Sequence, residues 1–351
     1  FTDLDQGIAE LKKAQAQLKI YRQAVLKQAF EGELTKAWRA QQTDLPTAEE
    51  LLAQIQEART QHYEQQLEQW KKAVEIWKES GQKGRRPSKP RKIKELPKLT
   101  LEEQEKLPTI PSTMAWTRLG NVVWSVKDGP HYSPKYSDSG IPFISGGNIS
   151  PSGIDFQNAK YISEDLHVEL SKRCKPELND ILYTKGGTTG IARVNTYDFE
   201  FNVWVHVAVL KVVDLIDSFF LQHLLNSSHC YRQSQKYTHG VGNQDLGLTR
   251  MILITLPICS LQEQHQIVQE IEQRLSRCDQ LDQALTQSLQ KAQHLRQSIL
   301  KNAFEGRLLT EAEIAACRAA PDYEPASVLL DRLKATQATP KKGQRPSKKK
   351  A

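Results

Sequence analysis

Three polar stretches of the sequence combine the residue types with which proteins contact nucleic acids. The first runs from Lys127 to Tyr136, the second lies around Thr188, and the third runs from Lys236 to Gln244. Lysines and exposed amides bind phosphates, whereas amide, imidazole and hydroxyl side chains hydrogen-bond to base edges in the major groove. Composition alone is equally typical of ordinary surface loops. The candidate contacts are Lys127, His131, Tyr132, Lys135, Tyr136, Lys185, Thr188, Thr189, Lys236, Tyr237, His239, Asn243 and Gln244.

Sequence motifs of the common DNA-modifying and nucleotide-using enzymes are absent. The glycine-rich segment Gly186–Gly190 lacks the Lys-Ser/Thr pair that completes a phosphate loop, and no GxGxxG cofactor loop occurs. There is no Asn-Pro-Pro-aromatic motif, with which adenine methyltransferases hold a flipped base. Pro321-Asp322 is not followed by the carboxylate-x-Lys of a nuclease metal site. We therefore expect a non-catalytic chain without a cofactor or metal of its own.

Composition narrows the class of protein. The formal net charge is +7, but the cations concentrate in two runs, Lys83–Lys94 and Lys341–Lys350, which are typical of solvated tails and linkers as well as of nucleic-acid binding. The five cysteines form no CxxC pair, which favours a reduced cytoplasmic protein without structural zinc. No stretch reaches the roughly 18 apolar residues of a membrane span.

An internal repeat indicates a duplicated design. Arg22–Gly32 returns almost unchanged as Arg296–Gly306, and each copy ends a segment with helical periodicity at a glycine. Apolar residues recur at steps of three and four over about five heptads in the second segment. Two long helices with narrow apolar stripes are expected to pair, and the alternative is that each packs separately on a globular core. The predicted seam is Ile267, Ile271, Leu275, Cys278, Leu281, Leu285, Leu289, Ala292, Ile299 and Ala303.

Between the two copies of the repeat, the pattern of apolar and polar residues changes twice. Thr47–Glu79 is predicted to be a helix that folds back on the surface or docks a partner through Trp70 and Trp77, and Gly81–Pro111 is expected to be an extended linker. Met114–Pro257 contains short apolar runs between turn residues, which predicts a mixed α+β domain. The strand candidates are 122–124, 141–144, 181–183, 191–194, 205–210 and 252–254, and His206, Trp124 and Trp204 are interpreted as packing residues.

The repeat and the middle domain together resemble the specificity (S) subunits of type I restriction-modification systems. The resemblance rests on the order of several motifs, none of which is diagnostic alone. One departure is Leu256–Gln262, where the family has a proline pair, and the family also implies another recognition domain before residue 1. The matching segments are Trp116 with Leu119-Gly120, Gly140–Ile144, Gly147–Ile149, Asn179–Leu182, Gly186–Gly190, Leu256-Pro257, Gln262–Gln264 and the repeated Ala-Phe-Glu-Gly that ends at Gly32 and Gly306.

The resemblance implies an α+β fold class, with a mixed α/β target-recognition domain plus two long antiparallel coiled-coil helices. It also implies that the chain reads one half of a bipartite DNA target, with the helices as a ruler between the halves. The expected partners are double-stranded DNA, methyltransferase (M) subunits, the restriction/motor (R) subunits through M, and a second copy of the chain. S-adenosylmethionine, ATP and Mg would then belong to the partner subunits.

The expected domains follow the same interpretation. They are residues 1–42 for the first conserved helix, 43–80 for a helical extension, 81–113 for the basic linker, 114–257 for target recognition, 258–309 for the second conserved helix and 310–351 for a C-terminal extension and basic tail. Two alternatives stay open. In one, the coiled coil is the functional surface of an interaction protein without sequence-specific DNA binding. In the other, the chain is part of an enzyme whose catalytic domain lies upstream.

Overall fold

The structure is a computed structural model that describes residues 1–90, 95–240 and 244–338. The chain forms two compact units, residues 15–283 and residues 1–14 with 284–351, which are described separately. The helices are α1 Thr2–Phe30, α2 Lys36–Arg39, α3 Ala48–Glu79, α4 Leu101–Glu105, α5 Glu164–Ser171, α6 Ser218–Leu225, α7 Ser228–Tyr237, α8 Leu248–Met251, α9 Leu261–Phe304, α10 Glu311–Ala319 and α11 Ala326–Ala338. The strands are β1 Ala115–Arg118, β2 Val123–Asp128, β3 Ile141–Ile144, β4 Ile149–Ser150, β5 Gly153–Ile154, β6 Lys160–Ile162, β7 Ile181–Thr184, β8 Ala192–Val194, β9 Asn202–Val203, β10 Val207–Val212 and β11 Thr255–Ile258.

A four-stranded antiparallel sheet, in the order β2-β10-β7-β8, divides the larger unit into two hydrophobic cores. Side chains alternate between the faces of a strand, so Ile181 and Tyr183 enter the larger core while Leu182 between them enters the smaller one. Burial on both faces explains why the central strands are apolar throughout. The smaller sheets are β6-β3-β9, in which β3 and β9 are parallel, and the antiparallel pairs β1-β11 and β4-β5.

The two long helices run antiparallel. In the larger unit, Gln15 Nε2 lies 3.4 Å from Asp282 Oδ1, and further along α1 the Arg22 guanidinium lies 2.7 Å from Asp279 of α9. In the smaller unit, Arg296 Nε lies 3.1 Å from Asp5 Oδ1. The predicted fold class is therefore confirmed: a mixed α/β domain accompanies two long antiparallel helices.

The predicted seam of α9 is correct only in part. Ile267, Ile271 and Cys278 are buried, but Leu281 is 56% exposed and Ala303 is also exposed. Helix α9 continues for 44 residues, of which the first five turns provide all the buried positions. Beyond them the apolar stripe contributes side chains that are partly covered or open to solvent.

The Gln-Glu-Gln segment at the start of α9 fixes this helix to its surroundings through buried polar groups. Glu263 is fully buried, and its Oε1 accepts hydrogen bonds from Thr35 Oγ1 at 2.7 Å and Arg39 Nε at 3.0 Å. The neighbouring Gln264 amide donates to the carbonyl oxygens of Cys259 and Leu215. A buried carboxylate is tolerated here because a cation and a hydroxyl share it. The segment thus joins the start of α9 to the residues that follow α1 and to the central domain.

Two sequence-based expectations need correction. The strand expected at 252–254 lies at Thr255–Ile258 instead, because Ile252 caps the C-terminal end of α8 and Pro257 is accommodated in the two-stranded β1-β11 pair. Residues 95–113, the described second part of the expected linker, also contain more regular structure than an extended linker. Within them α4 begins with a Thr100–Glu103 capping box, and Arg118 Nη2 donates to both carboxylate oxygens of Glu103, at 2.8 and 3.0 Å.

The tryptophans of α3 bind the chain that follows them. Trp70 Nε1 donates to the Pro87 carbonyl at 3.1 Å, and Trp77 Nε1 donates to the Gly84 carbonyl at 3.2 Å. The basic run that begins at Lys83 therefore lies against α3 as far as Lys89, whose ammonium is 5.9 Å from the centroid of the Trp70 ring. Residues 91–94 of this run, the second basic run at 341–350 and the candidate Asn243 lie outside the described residues.

The smaller unit consists of helical segments with exposed apolar side chains. Helices α10 and α11 follow α9, and Val328, Leu329, Leu330 and Leu333 of α11 are each about half exposed. Within the described part of the chain, none of the helices combines the length and apolarity needed to cross a membrane.

Candidate nucleic-acid interface

Two of the three candidate stretches leave the central sheet at the same edge. Strand β10 is antiparallel to both β2 and β7, so β2 and β7 point in the same direction. Their last residues, Asp128 and Thr184, lie opposite Ala208 and Val207 at the start of β10. The first stretch follows Asp128, and the second follows Thr184. Sheet topology therefore brings together loops that are more than 50 residues apart in sequence.

The end of the third stretch lies at the same edge of the sheet. It leaves α7 after Tyr237 and returns at Asp245, which pairs in both directions with the backbone of His239. The Leu246 amide then donates to the Lys185 carbonyl at 2.7 Å, and Asp245 forms an isolated bridge with Gly186. The base of the third loop is thus hydrogen-bonded to the base of the second.

Lys185 lies where the three loops meet, and it is buried rather than displayed. Only 2% of the residue is exposed. Its Nζ lies 2.6 Å from Asp245 Oδ1, 3.5 Å from Asp128 Oδ2 and 3.1 Å from the Val205 carbonyl oxygen. The expectation that Lys185 presents its charge on the surface is wrong, because two carboxylates from neighbouring loops hold the ammonium inside.

Thr189 is also buried, at 4% exposure, although its side chain was expected to be exposed. Its hydroxyl accepts a hydrogen bond from Gln235 Nε2 at 3.0 Å, so it fastens the second loop to α7. Its neighbour Thr188 is exposed, beside the exposed Gly187, which adopts a positive φ of 72°. Of the two threonines, Thr188 alone has its side chain on the surface.

The other candidates fall into two groups by exposure. Tyr136 and Tyr237 are half-buried: Tyr136 packs under the Lys160 ammonium, 4.2 Å from its ring centroid, and burial raises the pKa of its phenol. Tyr237 packs against the larger core. The side chains of the second group are exposed to solvent and form the accessible part of the candidate surface; they are Lys127, His131, Tyr132, Lys135, Thr188, Lys236, His239 and Gln244.

Two glycines allow the backbone to approach closely at the base of this surface. A Cβ added at Gly129 would lie 1.8 Å from the Val203 carbonyl oxygen, and one added at Gly186 would lie 1.9 Å from His206 Nδ1. His206 precedes β10, is half-buried and packs edge-on against Trp204, whose Nε1 donates to the Tyr132 carbonyl. The interpretation of Trp204 and His206 as packing residues agrees with these contacts.

Sequence reasoning missed the charges that organise the first loop. Asp128 is buried, and its carboxylate lies 2.7 Å from Arg173 and 3.2 Å from His131 Nε2. Arg173 belongs to the run Lys172-Arg173-Cys174-Lys175 after α5, and this density of cations was a signal in the sequence. Burial raises the pKa of the Cys174 thiol to about 12, so that thiol is a packing group and not a nucleophile.

The same run contributes further cations to the candidate surface. Lys172, Arg173 and Lys175 line a groove of about 190 Å³ together with Lys127 and Lys211. Arg173, Lys175 and Lys211 are paired with carboxylates, whereas Lys127 and Lys172 have no ion-pair partner within the described ranges. Two unpaired ammonium groups beside the first loop are suited to contacts with phosphate oxygens.

The described residues contain no group of three or more His, Cys, Asp or Glu side chains arranged to hold a metal ion. The polar groups that do converge, around Asp128 and Lys185, pair a carboxylate with a cation in each case. Such ion pairs connect the bases of the loops beneath the surface.

Comparison with known proteins places the central domain in a family. Residues 111–291, just over half of the chain, match the family model described as the type I restriction modification DNA specificity domain. Among curated proteins, the specificity subunit of the type I restriction enzyme EcoBI of Escherichia coli is 28% identical over 214 residues, which are 60% of this chain and 44% of the relative. The EcoDI specificity subunit of the same species is 22% identical over 356 residues, 98% of this chain and 65% of the relative. The chain thus spans about half to two thirds of these relatives.

Solved structures give weaker matches. The HsdS subunit from Thermoanaerobacter tengcongensis is 18% identical with a TM-score of 0.39, over 74% of this chain and 57% of the other. A chain from a structure on complex assembly and conformational transition of the type I R-M system is 18% identical with a TM-score of 0.45, over 73% of this chain and 58% of the other.

Proposed function

The chain belongs to the type I restriction modification DNA specificity domain family, and from this premise we propose that it reads the base sequence of one half of a bipartite DNA target. The observation that carries the proposal is the convergence of three polar loops at one edge of the central sheet, around Lys185. Exposed His131, His239 and Gln244 offer hydrogen-bonding groups for base edges, and Lys127 and Lys135 offer cations for phosphates.

The chain acts in this proposal as a subunit that recognises DNA and leaves catalysis to others. Methyltransferase subunits bind it, the restriction/motor subunits join through them, and a second copy of the chain is a further partner. S-adenosylmethionine, ATP and Mg belong to those partners. The alternative of a coiled-coil interaction protein that does not recognise DNA is not favoured, because the family match covers the domain between the helices as well as α9 as far as residue 291.

The antiparallel helices α1 and α9 set the distance between the two recognised halves in this proposal. Removing one heptad from each of the paired helices would shorten them by about 10 Å, since a helix rises about 1.5 Å per residue. That length corresponds to about three base pairs at 3.4 Å each. Maps of methylated sites in cells with the shortened protein should show the halves closer by that amount. An unchanged spacing would exclude the ruler role and leave base recognition unaffected.

Sequence-specific binding is tested with the purified full chain. Selection from a library of random duplexes at about 150 mM salt should enrich a short motif. Fluorescence anisotropy should then give a Kd for the selected duplex at least about 100-fold below that for a scrambled one. A chain that enriches no motif and binds both duplexes alike would overturn the proposal.

Single substitutions divide the surface into phosphate and base contacts. Lys135→Ala should weaken binding to all duplexes about equally and reduce the slope of log K against log salt by about 1. Gln244→Ala should instead relax the preference at one base position, at a cost of about 1–3 kcal/mol for the preferred base. Glu95→Ala, an exposed side chain outside the three loops, is the control and should change neither quantity.

A further inference from the structure

Lys185 combines two properties that seldom occur together in a lysine. It is almost completely buried, and its ammonium has three oxygen partners, two of them carboxylates. Lysine is rarely buried without such pairing, since removing an ammonium from water is costly. The carboxylates belong to two other loops: Asp128 begins the first and Asp245 ends the third.

The charges around Lys185 are balanced. Asp128 also pairs with Arg173 at 2.7 Å, so two carboxylates face two basic side chains in the cluster. Arg173 and Asp245 are the accessible members, with 59% and 42% of their side chains exposed, whereas the side chains of Lys185 and Asp128 are each 3% exposed. Water can therefore reach both outer ends of this chain of charges and not its centre.

The backbone of Lys185 is also hydrogen-bonded to neighbouring parts of the chain. The Lys185 amide donates to the His206 carbonyl at 2.9 Å, and its carbonyl accepts from Leu246 at 2.7 Å. Those bonds hold the base of the second loop to β10 and the third loop. The link from the second loop to Asp128 of the first, however, is made by the ammonium.

We infer that Lys185 is a positioning residue, whose buried ammonium holds the three loops in a single arrangement so that base discrimination depends on it without contact to DNA. The inference rests on the proposed function. Displaying side chains to base edges requires them to be held to within a fraction of an ångström, and loops achieve this only when their supports are fixed. The cluster of Lys185, Asp128 and Asp245 is that support.

The first test measures the loops without DNA. In Lys185→Met the side chain keeps its approximate length but loses its charge, while Asp128 retains Arg173 and Asp245 can be hydrated. Amide hydrogen exchange in the stretches 127–136 and 236–246 should become at least about tenfold faster, while exchange in β10 stays unchanged. Equal exchange in the variant and the parent chain would overturn the inference.

The second test separates positioning from direct contact. Lys185→Met should raise the Kd for the selected duplex about 10- to 100-fold, change the Kd for a scrambled duplex less than about twofold, and keep the salt slope. Lys127→Met is the matched control, because it removes an equal charge from an exposed lysine at the same sheet edge. It should weaken both duplexes alike and lower the salt slope by about 1.

Two further variants test whether any loss of discrimination comes from the lost ion pairs and not from misfolding of Lys185→Met. Lys185→Arg should keep discrimination within about threefold, because a guanidinium can still pair with both carboxylates. Asp245→Asn should reproduce the loss of discrimination expected for Lys185→Met, and it replaces that variant in the test if Lys185→Met does not fold.

If Lys185→Met lowers the salt slope by about 1 and keeps discrimination, Lys185 is a phosphate contact and the inference is wrong. If the parent chain itself does not discriminate, the proposed function fails, and the exchange experiment still decides whether Lys185 holds the loops.

Discussion

The two copies of the repeated segment have nearly the same sequence and opposite surroundings. In the first copy, Val25, Leu26, Ala29 and Phe30 are between 0% and 6% exposed. In the second copy, the phenylalanine at the equivalent position, Phe304, is 90% exposed. The four apolar positions are therefore part of a core at the end of α1, whereas at the end of α9 Leu300, Ala303 and Phe304 are exposed and Ile299 is only partly buried.

The difference lies in what each helix end meets. Phe30 packs edge-on against Phe220 of α6, with ring centroids 5.6 Å apart, and Leu51 and Ile55 of α3 belong to the same core. Among the described residues, none of the ring contacts involves Phe304. A helical repeat thus specifies an apolar face, whereas burial of that face depends on a surface provided elsewhere in the chain.

The largest expected effect tests this contrast at the two phenylalanines. Phe30→Ala should lower the free energy of unfolding of the larger unit by about 3–5 kcal/mol, because it removes a buried ring and leaves a cavity beside Phe220. Phe304→Ala should change stability by less than about 0.5 kcal/mol, since an exposed ring contributes little. Urea unfolding of both variants, followed by tryptophan fluorescence, measures the difference. Similar losses in the two variants would show that the second copy is buried in solution.

A smaller effect is expected at the glycines that end the two copies. Gly32 and Gly306 adopt positive φ angles of 79° and 67°. A Cβ at Gly32 would lie 2.6 Å from Pro111 Cγ, whereas one at Gly306 would meet nothing within 4 Å. Gly306→Ala should therefore cost about 1 kcal/mol from backbone strain alone. Gly32→Ala should cost about 2–3 kcal/mol, because overpacking is added. Thermal unfolding compares them, and equal shifts in Tm would contradict the steric part of the argument.

Sequence analysis captured what local patterns determine. The repeat, the helical periodicity and the glycine ends predicted two long paired helices, and the family resemblance added their antiparallel orientation. The Thr100–Glu103 capping box in the expected linker was a helix signal that went unused. The alternative that the helices pack separately was partly right, since Phe30 at the end of α1 is also in the central core. Periodicity alone could not distinguish Phe30 from Phe304, because the covering residues come from α3 and α6.

The candidate surface shows the same limit of sequence analysis, because local composition did not predict which side chains are buried. Loop composition identified side chains that are exposed, such as Lys135 and His131, but it also selected Lys185. A lysine beside glycines and threonines looks like a phosphate ligand in sequence. Only the tertiary structure brings Asp128 and Asp245, 57 residues before and 60 residues after it, to its ammonium. Long-range ion pairs of this kind leave no local pattern to detect.

The smallest expected effect concerns α6, the helix against which Phe30 of the first copy packs. Burial, with a contribution from the positive charge of Arg193, lowers the pKa of His223 on α6 to about 4. The unfolded chain takes up a proton near pH 6.5, the ordinary value, so stability is complete above that pH and falls as the pH drops from 6.5 towards 4. The loss should reach about 1–2 kcal/mol by pH 5. This loss should appear as a difference in the free energy of unfolding between wild type and His223→Gln in urea unfolding at pH 7, 6, 5 and 4.5. His294→Gln, at an exposed position of α9, is the control.

Because α6 carries Phe220, mild acid should weaken the packing around Phe30 and leave the second copy unchanged. Parallel stability curves for wild type and His223→Gln would show that protonation of this histidine is not linked to unfolding.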